Sequence, residues 1–243
     1  MIIWVASYPR SGNTLFRMVL NHAYGTKTFS VYDDPAFDTL PGISDAVGHQ
    51  RLPAPLELIA QAQQPYFVKT HNLPSDGRPA IYLVRDGRDT LVSYAHYVES
   101  FVPQRVLLRR TRSLLRLSNF SSILRDLILS RIWPGSWSEH VRQWTRREDL
   151  TLATRFEDLV KQPLACVGSA MRALGLDDEL IRANDSLPSF EELHRRWPGF
   201  FRAGKTASWT HEMNSELQDL FWEKHGVIMT ELGYGGRWEE RLR

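Results

Sequence analysis

Short apolar runs and helical stripes alternate along the chain. Ile2 to Ala6 is a continuous apolar run, the pattern of a strand buried on both faces. Ser7 to Asn13 follows as a turn broken by Pro9 and Gly12. Thr14 to Ala23 then predicts a helix: Leu15, Met18, Val19 and His22 recur at i, i+3, i+4 and i+7, and Gly25 stands where a stop is expected. The segment 26–55 mixes polar and apolar residues with several Pro and Gly, and reads as irregular. Leu56 to Gln63 predicts a short helix, Tyr66 to Thr70 and Ala80 to Val84 two strands, and Arg88 to Glu99 a helix. Gly135 to Arg147 reads as another helix, with Trp137, Val141 and Trp144 on one face. Leu152 to Phe156 is a further strand, followed by a helix from Gln162 to Leu174. The C-terminal quarter is helical apart from a Gly-containing loop, Phe200 to Trp209. Strands alternating with helices predict an α/β fold: a central parallel sheet of about four to five strands, flanked by helices, with a phosphate-binding loop after the first strand. With no internal repeat or low-complexity linker, residues 1–243 are expected to form one domain, in which 101–135 is a basic, mostly helical segment.

Composition narrows the class. A chain of 243 residues has room for one large α/β core. Its 42% hydrophobic and 24% charged residues are ordinary for a globular protein. The net charge of +2 is too small to imply a nucleic-acid partner, and none is expected. The single cysteine, Cys166, cannot form an intrachain disulfide, which points to a reducing, cytoplasmic setting. The opening MIIWVASYPRSG has no basic stretch before its apolar run and reads as a strand rather than a signal peptide. No segment approaches the ~20 apolar residues of a membrane span. Charge is concentrated locally: Arg105 to Arg131 holds seven arginines and one acidic residue among leucines. Two readings of it stay open. It is either a basic lid that meets an anionic acceptor or a membrane surface, or a solvated helix face over a leucine stripe.

Three segments carry candidate chemistry. SYPRSGNT joins the first strand to the first helix. The first amides of a helix lack intrahelical partners and sit at the positive end of its dipole. Gly12 allows close approach, Ser11, Asn13 and Thr14 add donors, and Arg10 adds a fixed charge, so the loop reads as an anion cradle. It lacks the G-x-x-x-x-G-K-[ST] ending of a nucleoside-triphosphatase loop. The second segment, YFVKTH, places Lys69 and His71 two apart at a strand end, a cation beside a titratable imidazole. The third, VRDGRDTLVS, sets Arg85 at a strand end and Ser93 in the following helix, a pair able to grip one anion. The competing reading there is local pairing of Arg85 and Arg88 with Asp86 and Asp89. None of the other seven histidines has metal-ligand spacing, and no Cys/His cluster exists.

In this order, these segments resemble the sulfotransferases that use 3′-phosphoadenosine 5′-phosphosulfate (PAPS). SYPRSGNT is similar to that family's 5′-phosphosulfate loop, KTH to the segment with its catalytic base, and VRDGRDTLVSYAHY to its 3′-phosphate segment. GSWSEHVRQW, Arg155-Phe-Glu-Asp-Leu159 and FFRAGKTASW resemble later family segments, so the likeness runs from residue 7 to about 210. It implies that His71 is the general base, with Lys69 and Arg10 assisting transfer. It implies that Arg10, Ser11, Gly12, Asn13, Thr14 and Leu15 line the 5′-phosphate side. Arg85, Ser93, Arg202, Ala203 and Gly204 would hold the 3′-phosphate, and Phe156 would lie near adenine. Leu15 departs from the family's tryptophan, Ala203 and Thr210 from lysines, and Ala207 from a glycine.

The expected activity is in-line transfer of a sulfuryl group from PAPS to a hydroxyl or amine of a small-molecule, lipid or sugar acceptor, leaving PAP and needing no metal. Trp133, Trp137 and Phe101 are candidates for an apolar acceptor pocket, with core packing as the competing reading. The rival functions are a P-loop small-molecule kinase using ATP, and a non-catalytic nucleotide-binding protein of the same fold.

Overall fold

The computed structural model describes residues 1–32, 40–101, 119–176, 187–198, 201 and 207–235. They form two compact units. The first comprises residues 1–7, 11–84 and 144–204, and the second 8–10, 85–143 and 205–243.

The first unit holds the sheet. Its strands are β1 (Ile2–Ser7), β2 (Thr28–Ser30), β3 (His49–Gln50), β4 (Tyr66–Thr70), β5 (Ala80–Val84) and β6 (Thr151–Arg155). They lie in the order β3-β2-β4-β1-β5-β6, and every pairing is parallel. The parallel α/β architecture is as the sequence predicts, with six strands instead of four or five. The extra two, β2 and β3, come from the segment read as irregular. They are three and two residues long, too short to carry a periodic signal.

Helix α1 (Asn13–Tyr24), α2 (Ile43–Val47), α3 (Leu56–Ile59), α7 (Phe156–Lys161), α8 (Pro163–Ala173) and α9 (Phe190–Arg196) belong to this unit. Ile3, Val5, Phe67, Ile81 and Leu83 face one side of the sheet. There they meet Phe16, Val19, Leu20 and Ala23 of α1, Leu159 of α7, and Val167, Ala170 and Met171 of α8. The face of α1 on this core runs 16, 19, 20, 23; of the expected 15, 18, 19 and 22, Met18 and Val19 are buried and Leu15 and His22 are not. Leu15 is only partly buried, packed against this core. The departure has a cause on the polar side. Arg17 is also buried, its Nε donating to Thr28 Oγ1 at 2.7 Å and its Nη2 lying 3.0 Å from His49 Nδ1. A helix with a buried cation shows no clean amphipathic stripe. The opposite face of the sheet carries Tyr82, on which Trp144 stacks at 6.0 Å while its Nε1 donates to the Asn72 carbonyl.

The second unit is helical: α4 (Gly87–Phe101), α5 (Phe120–Ile128), most of α6 (Trp137–Thr145), α10 (Trp209–Glu212) and α11 (Ser215–Glu231). Trp137, Phe221 and His225 form its ring core. Trp137 is fully buried there, which bears out the core reading of that side chain. Of the basic segment 105–131, positions 105–118 lie outside the described residues. Within the rest, Arg125 pairs with Glu216 and Arg131 with Asp126. Among the described residues, no helix is long and apolar enough to cross a membrane.

His225 is buried, its Nδ1 2.7 Å from Ser138 Oγ and its Nε2 3.1 Å from the Ile128 carbonyl. Burial depresses its pKa to about 4. A depressed folded pKa contributes stability that is intact above ~6.5, the unfolded value, and is lost as pH falls towards 4. The urea midpoint is expected to fall between pH 8 and pH 5 by the equivalent of about 2 kcal/mol, and the His225→Gln variant to show a flatter profile over that range.

Candidate functional site

Parallel pairing brings three strand ends side by side. Ala6 pairs with Thr70 and Ser7 with Leu83, so β4, β1 and β5 finish nearly level. The chain leaves them into His71, Tyr8 and Arg85 respectively. This carboxyl end is where open α/β sheets bind ligands.

In the first unit, His71 is nine-tenths buried. Its Nδ1 lies 2.7 Å from the Ser7 carbonyl oxygen and 3.3 Å from Ser7 Oγ. A carbonyl only accepts, so Nδ1 carries a proton, and in the neutral form of the ring the lone pair is on Nε2. Asn13, the first residue of α1, closes the arrangement: its Nδ2 donates to the Val5 carbonyl at 2.9 Å and to Ser7 Oγ at 3.3 Å. Lys69 is buried, in register with Val5 of β1 on one side and Ser30 of β2 on the other. The His71 amide has passed the end of the ladder and donates instead to Tyr32 Oη at 2.9 Å. Burial raises the Tyr32 phenol above its ordinary value, which keeps it protonated.

In the second unit, Arg10, Arg85 and Ser93 come together. Arg10 Nε donates to Ser93 Oγ at 3.3 Å, and Arg85 Nη1 donates to the Arg10 carbonyl at 3.3 Å. Asp89 Oδ2 lies 3.9 Å from Arg85 Nη2, and the Arg10 guanidinium stands 5.4 Å from the centre of the Tyr97 ring. Arg10, Arg85, Asp89 and Ser93 thus form one charged cluster in this unit, and a guanidinium can fork onto the oxygens of an anion. Asp89 also accepts from the amides of Ala207 and Trp209 at 2.7 and 3.2 Å, and from Ser208 Oγ at 3.1 Å. It thereby ties the end of the Gly-containing loop to the helix that carries Ser93.

Local pairing, the competing reading for this segment, holds for Arg88. Its guanidinium grips Asp86 through two bonds of 3.0 and 2.6 Å and lies 4.0 Å from the Trp209 ring centre. Arg88 is thus a buried structural cation, and Arg85 also pairs locally, with Asp89 at 3.9 Å.

The loop between β1 and α1 is bent through two residues of positive φ, Arg10 at 70° and Gly12 at 99°. Gly12 is required twice over. An L-residue is strained at that φ, and a Cβ there would lie 2.7 Å from Cδ2 of Phe156. Phe156, expected near a nucleotide base, is the first residue of α7 and rests its ring on this loop. Ser11 is buried in the same turn, and Thr14 opens the first turn of α1 behind Asn13. Arg202, Ala203 and Gly204 lie outside the described residues, and of Phe101 only the backbone is described. Among the described residues, no group of three His, Cys, Asp or Glu could hold a metal ion.

Three residues escaped the sequence reading. Tyr32 lies in the segment read as irregular, and nothing in the spacing ties it to His71. Asp89 read only as a local partner of arginine, because its partners at 207–209 are distant in sequence. Tyr97 ends the VRDGRDTLVSYAHY segment, and no spacing in the sequence ties it to Arg10.

The chain matches the model of the sulfotransferase domain over residues 2–225. Among curated proteins it is similar to Sulfotransferase 4A1 of Mus musculus, at 27% identity over 185 residues. That match covers 72% of this chain and spans 60% of the relative's length. It is also similar to Sulfotransferase 1A1 of Bos taurus, at 23% identity, with 97% of this chain and 85% of the relative covered. Among solved structures, mouse sulfotransferase SULT7A1 complexed with PAP superposes with a TM-score of 0.63 at 19% identity, covering 96% of this chain and 88% of that one. Retinol dehydratase complexed with androsterone and PAP gives 0.62 at 22% identity, covering 94% and 80%. These likenesses agree with the six-stranded parallel fold described above.

The steric demand at Gly12 gives a direct check. Gly12→Ala is expected to lower stability by about 1–3 kcal/mol in urea unfolding, from φ strain together with the close approach of Phe156.

Proposed function

The chain belongs to the sulfotransferase domain family, and from that premise we propose that it transfers a sulfuryl group from PAPS to a hydroxyl or amine of a small-molecule acceptor. The observation that carries the reading is the hydrogen bond from His71 Nδ1 to the Ser7 carbonyl, which leaves a buried imidazole with a basic Nε2 at the carboxyl end of the sheet. No feature of the described residues favours the kinase reading, and the loop after β1 lacks the lysine that grips a γ-phosphate.

PAPS supplies an SO₃ group held on a phosphate–sulfate anhydride, and the residues present fit such a bisphosphorylated nucleotide. By the resemblance of the sequence segments, Arg85 and Ser93 would hold the 3′-phosphate. In the geometry seen here, Arg10 leans on Ser93 and so joins that grip. Ser11, Gly12, Asn13 and Thr14 offer loop and helix-start amides to the 5′-phosphate. Lys69 offsets negative charge as it grows on the leaving phosphate. His71 Nε2 takes the acceptor's proton: the O–H or N–H bond breaks, the new bond to sulfur forms, and the old S–O electron pair departs with PAP. One positioned base is worth about 10²–10⁴-fold in rate.

Thermal unfolding with PAP, with ATP–magnesium and with neither tests the assignment. PAP at 100 times its Kd is expected to add about 2.7 kcal/mol of stability, and stabilisation by ATP–magnesium alone would overturn the proposal. His71→Ala is expected to abolish turnover of labelled PAPS over a panel of hydroxyl and amine acceptors while PAP still binds; normal turnover in that variant removes His71 as the base. Arg85→Ala is expected to raise the PAP dissociation constant at least tenfold, about 1.4 kcal/mol, with a smaller change in kcat.

A further inference from the structure

A short connection follows β2 and reaches the end of β4. Tyr32 stands two residues beyond that strand, its amide held by Ser30 Oγ at 3.1 Å. Its ring lies nearly parallel to the His71 imidazole, with an interplanar angle of 14° and centroids 5.9 Å apart. Its hydroxyl accepts from the His71 amide at 2.9 Å and lies 3.4 Å from Thr70 Oγ1. Thr70 Oγ1 in turn accepts from the Asn72 amide at 3.1 Å. Where β4 stops, the amides of residues 71 and 72 are thus taken by side chains in place of a ladder.

We propose that Tyr32 is a positioning residue for His71. It holds the imidazole against the Ser7 carbonyl from two directions at once, through the backbone bond and through the flat face of its ring. The proposal rests on the reading of His71 as the base. A base that has left its strand has two backbone torsions and two side-chain torsions to fix. The Ser7 carbonyl fixes one ring nitrogen, which still allows the plane to swing about that bond. The Tyr32 ring closes off that swing, and its hydroxyl anchors the backbone from which the side chain hangs. The group is uncharged and makes its bond through a hydroxyl that burial keeps protonated, so the support does not vary with pH through the range in which an imidazole titrates. A base kept within a narrow range of orientations loses less rate to misaligned encounters.

The test reads His71 itself and needs no acceptor. Nitrogen–proton correlation spectra of the imidazole are recorded for the parent, Tyr32→Phe and Tyr32→Leu, each free and with PAP. The parent is expected to show a protonated Nδ1 and an unprotonated Nε2. Tyr32→Leu, lacking both ring and hydroxyl, is expected to move the two nitrogens towards the averaged values of a free histidine. Tyr32→Phe keeps the ring, and should retain most of the tautomer preference while the His71 amide exchanges with solvent about 5-fold faster, the loss of one hydrogen bond. PAP affinity is expected to stay within about 2-fold in both variants, since the residue touches no assigned phosphate group. Parent-like nitrogen shifts in Tyr32→Leu would overturn the inference. If that variant does not fold, parent-like amide exchange in Tyr32→Phe overturns it equally. A tenfold loss of PAP affinity in Tyr32→Phe would also overturn it, since the residue would then act on the nucleotide site at large. Should PAP fail to stabilise the parent, the sulfotransfer reading falls while the coupling of Tyr32 to His71 is still read from the ligand-free spectra.

Discussion

A single hydrogen bond, from His71 Nδ1 to the carbonyl of Ser7, sets the chemical character of the sheet's carboxyl end. The carbonyl belongs to the last residue of β1 and is directed by the sheet, so the partner of the imidazole is as rigid as the fold. Because that partner can only accept, the ring has one tautomer available in its neutral form, and the basic nitrogen is the one turned away from Ser7. Asn13 then ties Ser7 to the start of α1. Strand, helix and imidazole are registered to one another before any substrate arrives, which is the preorganisation that a buried base requires.

The arginines of the segment after β5 show how similar residues divide between architecture and chemistry. Arg88 is buried, held by two bonds to Asp86 and covered by Trp209. A cation so fully matched has little left to offer an incoming anion, and the stacked ring keeps water from it. Arg85 has its carboxylate at 3.9 Å and spends a donor on a main-chain carbonyl. The difference follows from position. Arg88 lies in the first turn of a helix, within reach of the acid two residues before it. Arg85 stands directly after β5, where its acid is four residues ahead.

Much of this was legible in the sequence. The continuous apolar runs of β1 and β5 marked strand positions to within a residue, because strands buried on both faces have no polar alternation to blur them, and β4 was marked by Tyr66 to Val68 ahead of its polar end. The residues directly after those strands were legible as a group, since a parallel sheet places its strand ends together whatever the connections. Other features were hidden for physical reasons. The two short edge strands are defined by their neighbours rather than by their own residues. The buried face of α1 departed from the expected stripe because Arg17, a residue expected outside, is buried against Thr28 and His49. Tyr32 meets His71 across 39 positions of sequence, and no local periodicity encodes such a contact.

The bond between Arg85 and position 10 is made to the carbonyl of Arg10, not to its side chain. The anchoring of one cation is therefore separable from the identity of the other. Exchanging arginine for lysine at position 10 alters the length and hydrogen-bonding reach of the charge while leaving the carbonyl that Arg85 grips in place. It is the left-handed bend at position 10, rather than the side chain there, that presents this carbonyl to Arg85.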